Sequence, residues 1–84
     1  MIKFNDTMST EYKNAEIVIV VEEDVITTAK VYIDKQCVVC EDITTESGGD
    51  VEFKYENYNE VVNMMKAEVD KMWEETFALA TANR

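Results

Sequence analysis

The C-terminal segment 58–80 most constrains how this chain can fold. Apolar residues recur along it in steps of three and four, the spacing of one face of an α-helix. This stripe comprises Tyr58, Val62, Met65, Val69, Met72 or Trp73, and Phe77. The pattern predicts a helix over 58–80, with Asn57 or Asn59 supplying the N-cap. A helix of this kind must bury its apolar stripe against another element, so the preceding residues should form a sheet beneath it.

The strongest strand signal lies at 15–23, a β-branched and apolar run typical of an interior strand. Residues 25–33 then alternate in the manner of a strand with two different faces. The charged pair Glu23–Asp24 between them leaves room only for a tight turn. The two strands are therefore predicted to form an antiparallel hairpin.

Further strands are predicted on either side of a loop rich in small residues. A second turn at 34–36 leads into a strand over 37–44, and residues 51–55 alternate again. The loop at 45–50 contains Gly48 and Gly49, which can take positive φ without steric cost. Residues 1–14 are polar and mixed, and are predicted to be irregular, with a short strand at 1–4.

The predicted fold class is α+β: a three- or four-stranded antiparallel β-meander with one long C-terminal α-helix packed across one face. The chain of 84 residues is one domain, with the sheet at 15–55 and the helix at 58–80. The face away from the helix is predicted to carry Val18, Val20, Ile26 and Tyr32. An apolar patch there favours a partner, a homodimer or cover from the N-terminal segment.

Charge is the outlying property of the composition. The chain has 18 Asp and Glu against 8 Lys and Arg, a net charge of −10. Such a field repels nucleic acid and anionic membrane and attracts basic partners, although it also serves plain solubility. The start lacks a signal-peptide pattern, and the longest apolar run, 17–21, is too short to span a bilayer. A cytoplasmic protein is expected.

The pair Cys37 and Cys40 matches a C-x-x-C spacing but lies inside a predicted strand. Residues three apart in a regular strand point to opposite faces, so the two thiols are expected to diverge. A zinc site needs four ligands, and the chain has no histidine and no other cysteine. Structural, reduced cysteines are the favoured interpretation. The alternative is a redox or metal protein that uses the two cysteines, for example with zinc shared across a dimer.

No catalytic, cofactor or metal motif is recognisable. Without histidine the commonest general base is missing, and phosphate-binding glycine loops are absent. Calcium binding by Asp50, Glu52, Glu41 and Asp42 lacks the twelve-residue loop that such sites use. The chain is therefore predicted to be non-enzymatic, with no cofactor and no metal. Met64, Met65 and Met72 could line an adaptable binding groove, but their helical spacing favours the core.

The best functional candidate is an acidic strip over 41–60, where seven acids accompany a single lysine. The predicted partner-binding residues are Glu41, Asp42, Glu46, Asp50, Glu52, Glu56, Tyr58 and Glu60. Carboxylates on a rigid scaffold can occupy Arg and Lys that normally hold phosphates, and tyrosine is a common interface anchor. The alternative is an ordinary solvated face, with Phe53 and Tyr55 packed under the helix.

In size, acidity and predicted plan the chain resembles phage-encoded anti-defence proteins, anti-CRISPR inhibitors above all. The immunity proteins of nuclease bacteriocins look similar in size and charge. The resemblance is one of overall character and involves no specific motif. It implies a protein inhibitor that blocks the nucleic-acid-binding surface of a basic partner, such as a nuclease or CRISPR effector, by charge and shape complementarity. The alternative is a structural or adaptor homodimer whose acidity serves solubility.

Overall fold

The computed structural model describes the backbone of residues 3–82 and the side chains of residues 3–74. The predicted fold class is confirmed, with four antiparallel strands in a meander and a long C-terminal helix. The elements in chain order are β1 (Asp6–Tyr12), β2 (Ala15–Glu22), β3 (Val25–Ile33), β4 (Gln36–Asp42), α1 (Ile43–Ser47), β5 (Val51–Glu52) and α2 (Tyr55–Ala82). The strand order is β1-β2-β3-β4, and β5 pairs with the start of β3.

The core lies between one face of the sheet and the stripe of α2 that the sequence predicts. Ile17 and Ile19 of β2 and Met65 and Val69 of α2 have no exposed surface. Tyr58 and Met72 of the stripe pack against this cluster, whereas Trp73 is 44% exposed. Phe77 lies outside the described side chains. Burial of apolar surface at these positions is the main force that holds the helix on the sheet.

Both predicted tight turns are confirmed, and both use an unusual backbone. Glu23 and Asp24 join β2 to β3 with φ of 50° and 63°, and Asp34 and Lys35 join β3 to β4 with φ of 52° and 65°. Two consecutive positive φ values match the right-handed twist of the flanking strands, as in type I′ hairpins.

The prediction of an irregular N-terminus is wrong, because residues 6–12 form the edge strand β1. The strand pairs with β2 along its whole length, from Asp6 opposite Val21 to Tyr12 opposite Ala15. Its sequence is polar and carries a weak strand signal of its own. Pairing with the free edge of β2 supplies the hydrogen bonds that the composition alone does not predict. Of the predicted strand at 1–4, residues 1 and 2 lie outside the described chain, and Lys3 and Phe4 are not in a strand.

The predicted strand end at 43–44 and loop at 45–50 are also wrong in part, because residues 43–47 form the short helix α1. Asp42 accepts a hydrogen bond from the backbone N–H of Thr45 at 3.2 Å and so caps the first turn. Gly48 ends the helix with φ of 76°, and its N–H donates to the carbonyl of Thr45.

Helix α2 begins at Tyr55, three or four residues before its predicted start. Tyr55 is therefore not the end of a strand under the helix, and it is 81% exposed. The predicted N-caps Asn57 and Asn59 lie inside the helix. Asn57 instead donates from its side-chain amide to the carbonyl of Glu52 at 2.8 Å.

Two β-bulges move residues to faces that simple alternation does not predict. Between β2 and β3, Val20 pairs with Thr28 but Val21 pairs with Ile26, so Thr27 is the extra residue. Ile26, predicted to face away from the helix, is consequently buried in the core with no exposed surface. Val18, Val20 and Tyr32 remain on the outer face of the sheet, which α2 does not cover.

The second bulge lies between β3 and β4 and overturns the prediction that the two thiols diverge. Val31 pairs with Val39, but Tyr32 pairs with Cys37, so Val38 is the extra residue. Lys30 pairs with Cys40. Because Lys30 and Tyr32 are two residues apart on one strand, they share a face, and their partners Cys37 and Cys40 share it too.

Candidate acidic interface

A surface groove of about 500 Å³ lies between α1, β5 and the first turns of α2. Its acidic lining consists of Glu46, Asp50, Glu52 and Glu60. These four residues, which we call the acidic groove, all belong to the predicted partner-binding set. They come from α1, β5, α2 and the loop at Asp50, and the turn through Gly48 and Gly49 brings them to one place.

Local hydrogen bonds fix the walls of the acidic groove. The Asp42 cap begins α1 and thereby places Glu46 one turn along it. The Asn57 side chain ties the first turn of α2 to the carbonyl of Glu52. Met64 supplies an apolar floor and is 37% exposed, so its assignment to the core is wrong. A rigid carboxylate frame around an apolar contact is a common composition for an interface.

Glu41 extends the negative charge beyond the groove along the edge of the sheet. It pairs in register with buried Ala29, and so it faces the helix and not the outer side. Burial raises the pKa of the Glu41 carboxyl above its ordinary value, and the nearby charges of Glu46 and Glu68 raise it further. The contributions of Glu46 and Glu68 show that the three carboxylates are close enough to repel one another.

Glu68 is a functional candidate that the sequence reasoning missed. It lies outside the strip at 41–60, but it follows Glu60 and Met64 at intervals of four residues. Residues at this spacing share one side of a helix. The helical period could therefore have identified it.

Little positive charge offsets these carboxylates. The Lys54 ammonium lies 3.5 Å from a carboxylate oxygen of Glu52, and the two side chains of this ion pair are 61% and 67% exposed. So exposed a pair contributes little to stability and leaves both groups available to solvent. Of the two ion pairs found among the side chains of residues 3–74, this is the one that touches the groove. The groove together with Glu41 and Glu68 keeps a strong negative charge.

Three predicted residues have other positions or roles. Asp42 caps α1, as described above. Glu56 is exposed in the first turn of α2 and does not line the groove. Tyr58 packs against the core near β1, with its hydroxyl 3.4 Å from the Thr10 hydroxyl and its ring edge-on to Phe53. Phe53 packs against the core as predicted.

The opposite side of α2 has a different electrostatic character. There the Tyr12 hydroxyl donates to both carboxylate oxygens of Asp70, at 2.9 and 3.2 Å, and the Lys13 ammonium donates to the same carboxylate. The ammonium groups of Lys13 and Lys66 each lie 5.3 Å from the Tyr12 ring. We call these four residues the tyrosine flank. The hydrogen bonds from Lys13 and then Tyr12 lower the pKa of Asp70.

The carboxylates of the groove can accept charge-assisted hydrogen bonds from arginine and lysine. Among the side chains of residues 3–74, no group of three or more acids or cysteines is arranged to hold a metal ion. No helix within residues 3–82 is long and apolar enough to cross a bilayer. No protein-family model matches the chain, and no curated protein or solved structure matches it either.

Proposed function

We propose that this protein is a non-enzymatic inhibitor that binds a basic, nucleic-acid-handling protein through its acidic groove. The observation that carries the proposal is the convergence of Glu46, Asp50, Glu52 and Glu60 on one concave surface. Glu41 and Glu68 continue the negative charge, and Lys54, the one lysine among the described side chains that forms an ion pair with a groove carboxylate, is exposed. The net charge of −10 favours the same class of partner.

The mechanism is competition for cationic side chains. Arginine and lysine residues that hold phosphates on the partner would donate to the groove carboxylates instead. Met64 adds an apolar contact in the middle of this charged frame. A nuclease or a CRISPR effector is the type of partner this chemistry fits, and an anti-CRISPR-like role is part of the proposal. Association should be fast and should weaken steeply with salt.

The first step of the test is affinity capture from a host lysate at low and at high salt. The dissociation constant of the captured nucleic-acid-binding protein is then measured with the variant E46Q/D50N/E52Q/E60Q. We expect the affinity to fall at least tenfold, which corresponds to about 1.4 kcal/mol.

The matched control is E11Q/E16Q/E22Q/E56Q, which removes the same number of negative charges from exposed positions outside the groove. It should retain most of the affinity. Equal losses in both variants would show that only net charge matters. No loss in the groove variant would move the interface elsewhere. Circular dichroism checks that each variant is folded.

A homodimer is the second candidate, and the outer face of the sheet favours it. Val18, Val20 and Tyr32 lie there on adjacent strands and are partly exposed. Light scattering at several salt concentrations separates the two functions. A dimer through this apolar face should persist at high salt, whereas binding through the acidic groove should not.

A further inference from the structure

The edge strand β4 carries two free cysteines on the same face. The bulge at Val38 places Cys37 opposite Tyr32 and Cys40 opposite Lys30. Their partners are two residues apart, so the two cysteine Cα atoms are separated by roughly 7 Å along the strand direction. That distance lies just above the Cα separations found in disulfides, about 4.4–6.8 Å, so closure requires the backbone of β4 to contract slightly.

The side chain of Cys37 is directed toward Cys40. Its thiol donates to the carbonyl oxygen of Val39 at 3.3 Å. That carbonyl belongs to the peptide bond between Val39 and Cys40. The sulfur of Cys37 is therefore already next to the backbone of the second cysteine, and closure needs rotation of the Cys40 side chain together with a small contraction of the strand.

Both thiols are accessible to a reagent. Cys37 and Cys40 are each exposed, although cysteine is among the residue types most often buried. Strand β4 pairs with β3 and is the terminal strand of the meander. An edge strand has one neighbour fewer than an interior strand, so the small contraction that a disulfide needs meets less resistance here.

We propose that Cys37 and Cys40 are a redox site that closes to a disulfide by reaction with a low-molecular-weight disulfide such as oxidised glutathione. The thiolate of Cys40 attacks one sulfur of the small disulfide, which forms a mixed disulfide and releases one small thiolate. The thiolate of Cys37 then attacks the Cys40 sulfur, which forms the Cys37–Cys40 bond and releases the second small thiolate. The two cysteines are oxidised, one small disulfide is reduced, and the two cysteine protons end on the two small thiols.

Proximity decides which product accumulates. The second cysteine acts within the same molecule, at an effective concentration of about millimolar or higher. At submillimolar glutathione it should therefore outcompete a second glutathione molecule. The same argument predicts that excess reduced glutathione reopens the bond.

The test is incubation of the full chain in glutathione buffers of increasing oxidised fraction, followed by acid quench, alkylation of remaining thiols and intact mass spectrometry. We expect the monomer to lose both alkylatable thiols without gaining glutathione. C37S and C40S should each accumulate one glutathione adduct. Stable adducts on both cysteines of the wild-type chain, or only intermolecular dimers, would overturn the proposal.

A control variant tests whether closure depends on the bulge, which places both cysteines on one face of β4. Q36C/C37S keeps two cysteines on β4 but moves the first one opposite Ile33, on the other face of the strand. Its mixed disulfides should persist at the glutathione ratio that closes the wild-type pair. Closure of this variant with equal ease would contradict the role of the bulge.

Discussion

The charged groups on one side of helix α2 are paired with opposite charges, whereas those on the other side lie near like charges. On the tyrosine flank, Asp70 receives hydrogen bonds from Tyr12 and Lys13, and its pKa falls. On the other side, burial raises the pKa of Glu41, and the nearby charges of Glu46 and Glu68 raise it further. The first arrangement stabilises the fold, whereas the second opposes it, through the cost of burying a carboxylate and through repulsion between like charges.

This difference distinguishes a surface whose charges are paired within the fold from the surface that we propose as the binding site. The charges of the tyrosine flank are matched within the molecule and have little left to offer a partner. Among the side chains of residues 3–74, Lys54 alone forms an ion pair with the acidic groove, and a cationic partner would relieve the repulsion there. Locally unfavourable arrangements that nothing within the fold compensates are typical of functional sites.

The largest expected effect comes from truncating a core side chain that lies beneath both sides of α2. Met65 is fully buried between them, and M65A leaves a cavity under the helix. We expect the free energy of unfolding to fall by about 2–5 kcal/mol, measured by urea denaturation. The control M64A truncates the neighbouring methionine in the groove, which is 37% exposed, and should cost much less. Equal losses would contradict the placement of the core.

A smaller loss is expected from D70N, which breaks the tyrosine flank alone. Because the folded-state pKa of Asp70 is lowered, its carboxylate stabilises the fold above the usual carboxyl range, and this contribution is lost as pH falls through the lowered pKa. The melting temperature of D70N should lie below that of the wild type at neutral pH. The gap should close in strong acid. E74Q, an exposed change on the same helix, is the control, and a gap that persists in acid would contradict the account.

The smallest expected effect is an increase in stability, and it comes from a substitution on the acidic side of α2. The folded-state pKa of Glu41 is raised, so its ionised form destabilises the fold at neutral pH, and the penalty is relieved as pH falls through the raised value toward the ordinary one. E41Q should therefore raise the melting temperature at neutral pH. The increase should be smaller in mild acid, and it should also be smaller at high salt. The exposed variant E56Q should show a smaller change. A lower melting temperature for E41Q would contradict the repulsion.

Sequence patterns predicted the fold where a segment carries its own signal. The β-branched run of β2, the tight turns at Glu23–Asp24 and Asp34–Lys35, and the apolar stripe of α2 are of this kind. Strand β1 was missed because its polar residues become a strand only through pairing with β2. The two bulges were missed because register is a property of a strand pair, and one extra residue changes which face a side chain occupies.

The candidate site was predictable to a similar extent. The acids at 41–60 were recognisable as a dense group, and four of them line one groove. The sequence could not show which four of these acids line the groove, because their positions depend on the direction that α1 and its cap give the chain between β4 and β5. Tyr58, which the sequence placed both in the apolar stripe and in the binding set, packs against the core and does not line the groove.

Competition with nucleic acid tests the central claim most directly. The partner captured from a lysate is loaded with a fluorescent nucleic acid, and displacement is followed by anisotropy as this protein is added. We predict displacement by the wild-type chain, weaker displacement at higher salt, and little displacement by E46Q/D50N/E52Q/E60Q. If the partner bound nucleic acid and this protein simultaneously, or if the groove variant displaced as well as the wild type, the acidic groove would not be a phosphate-competing surface.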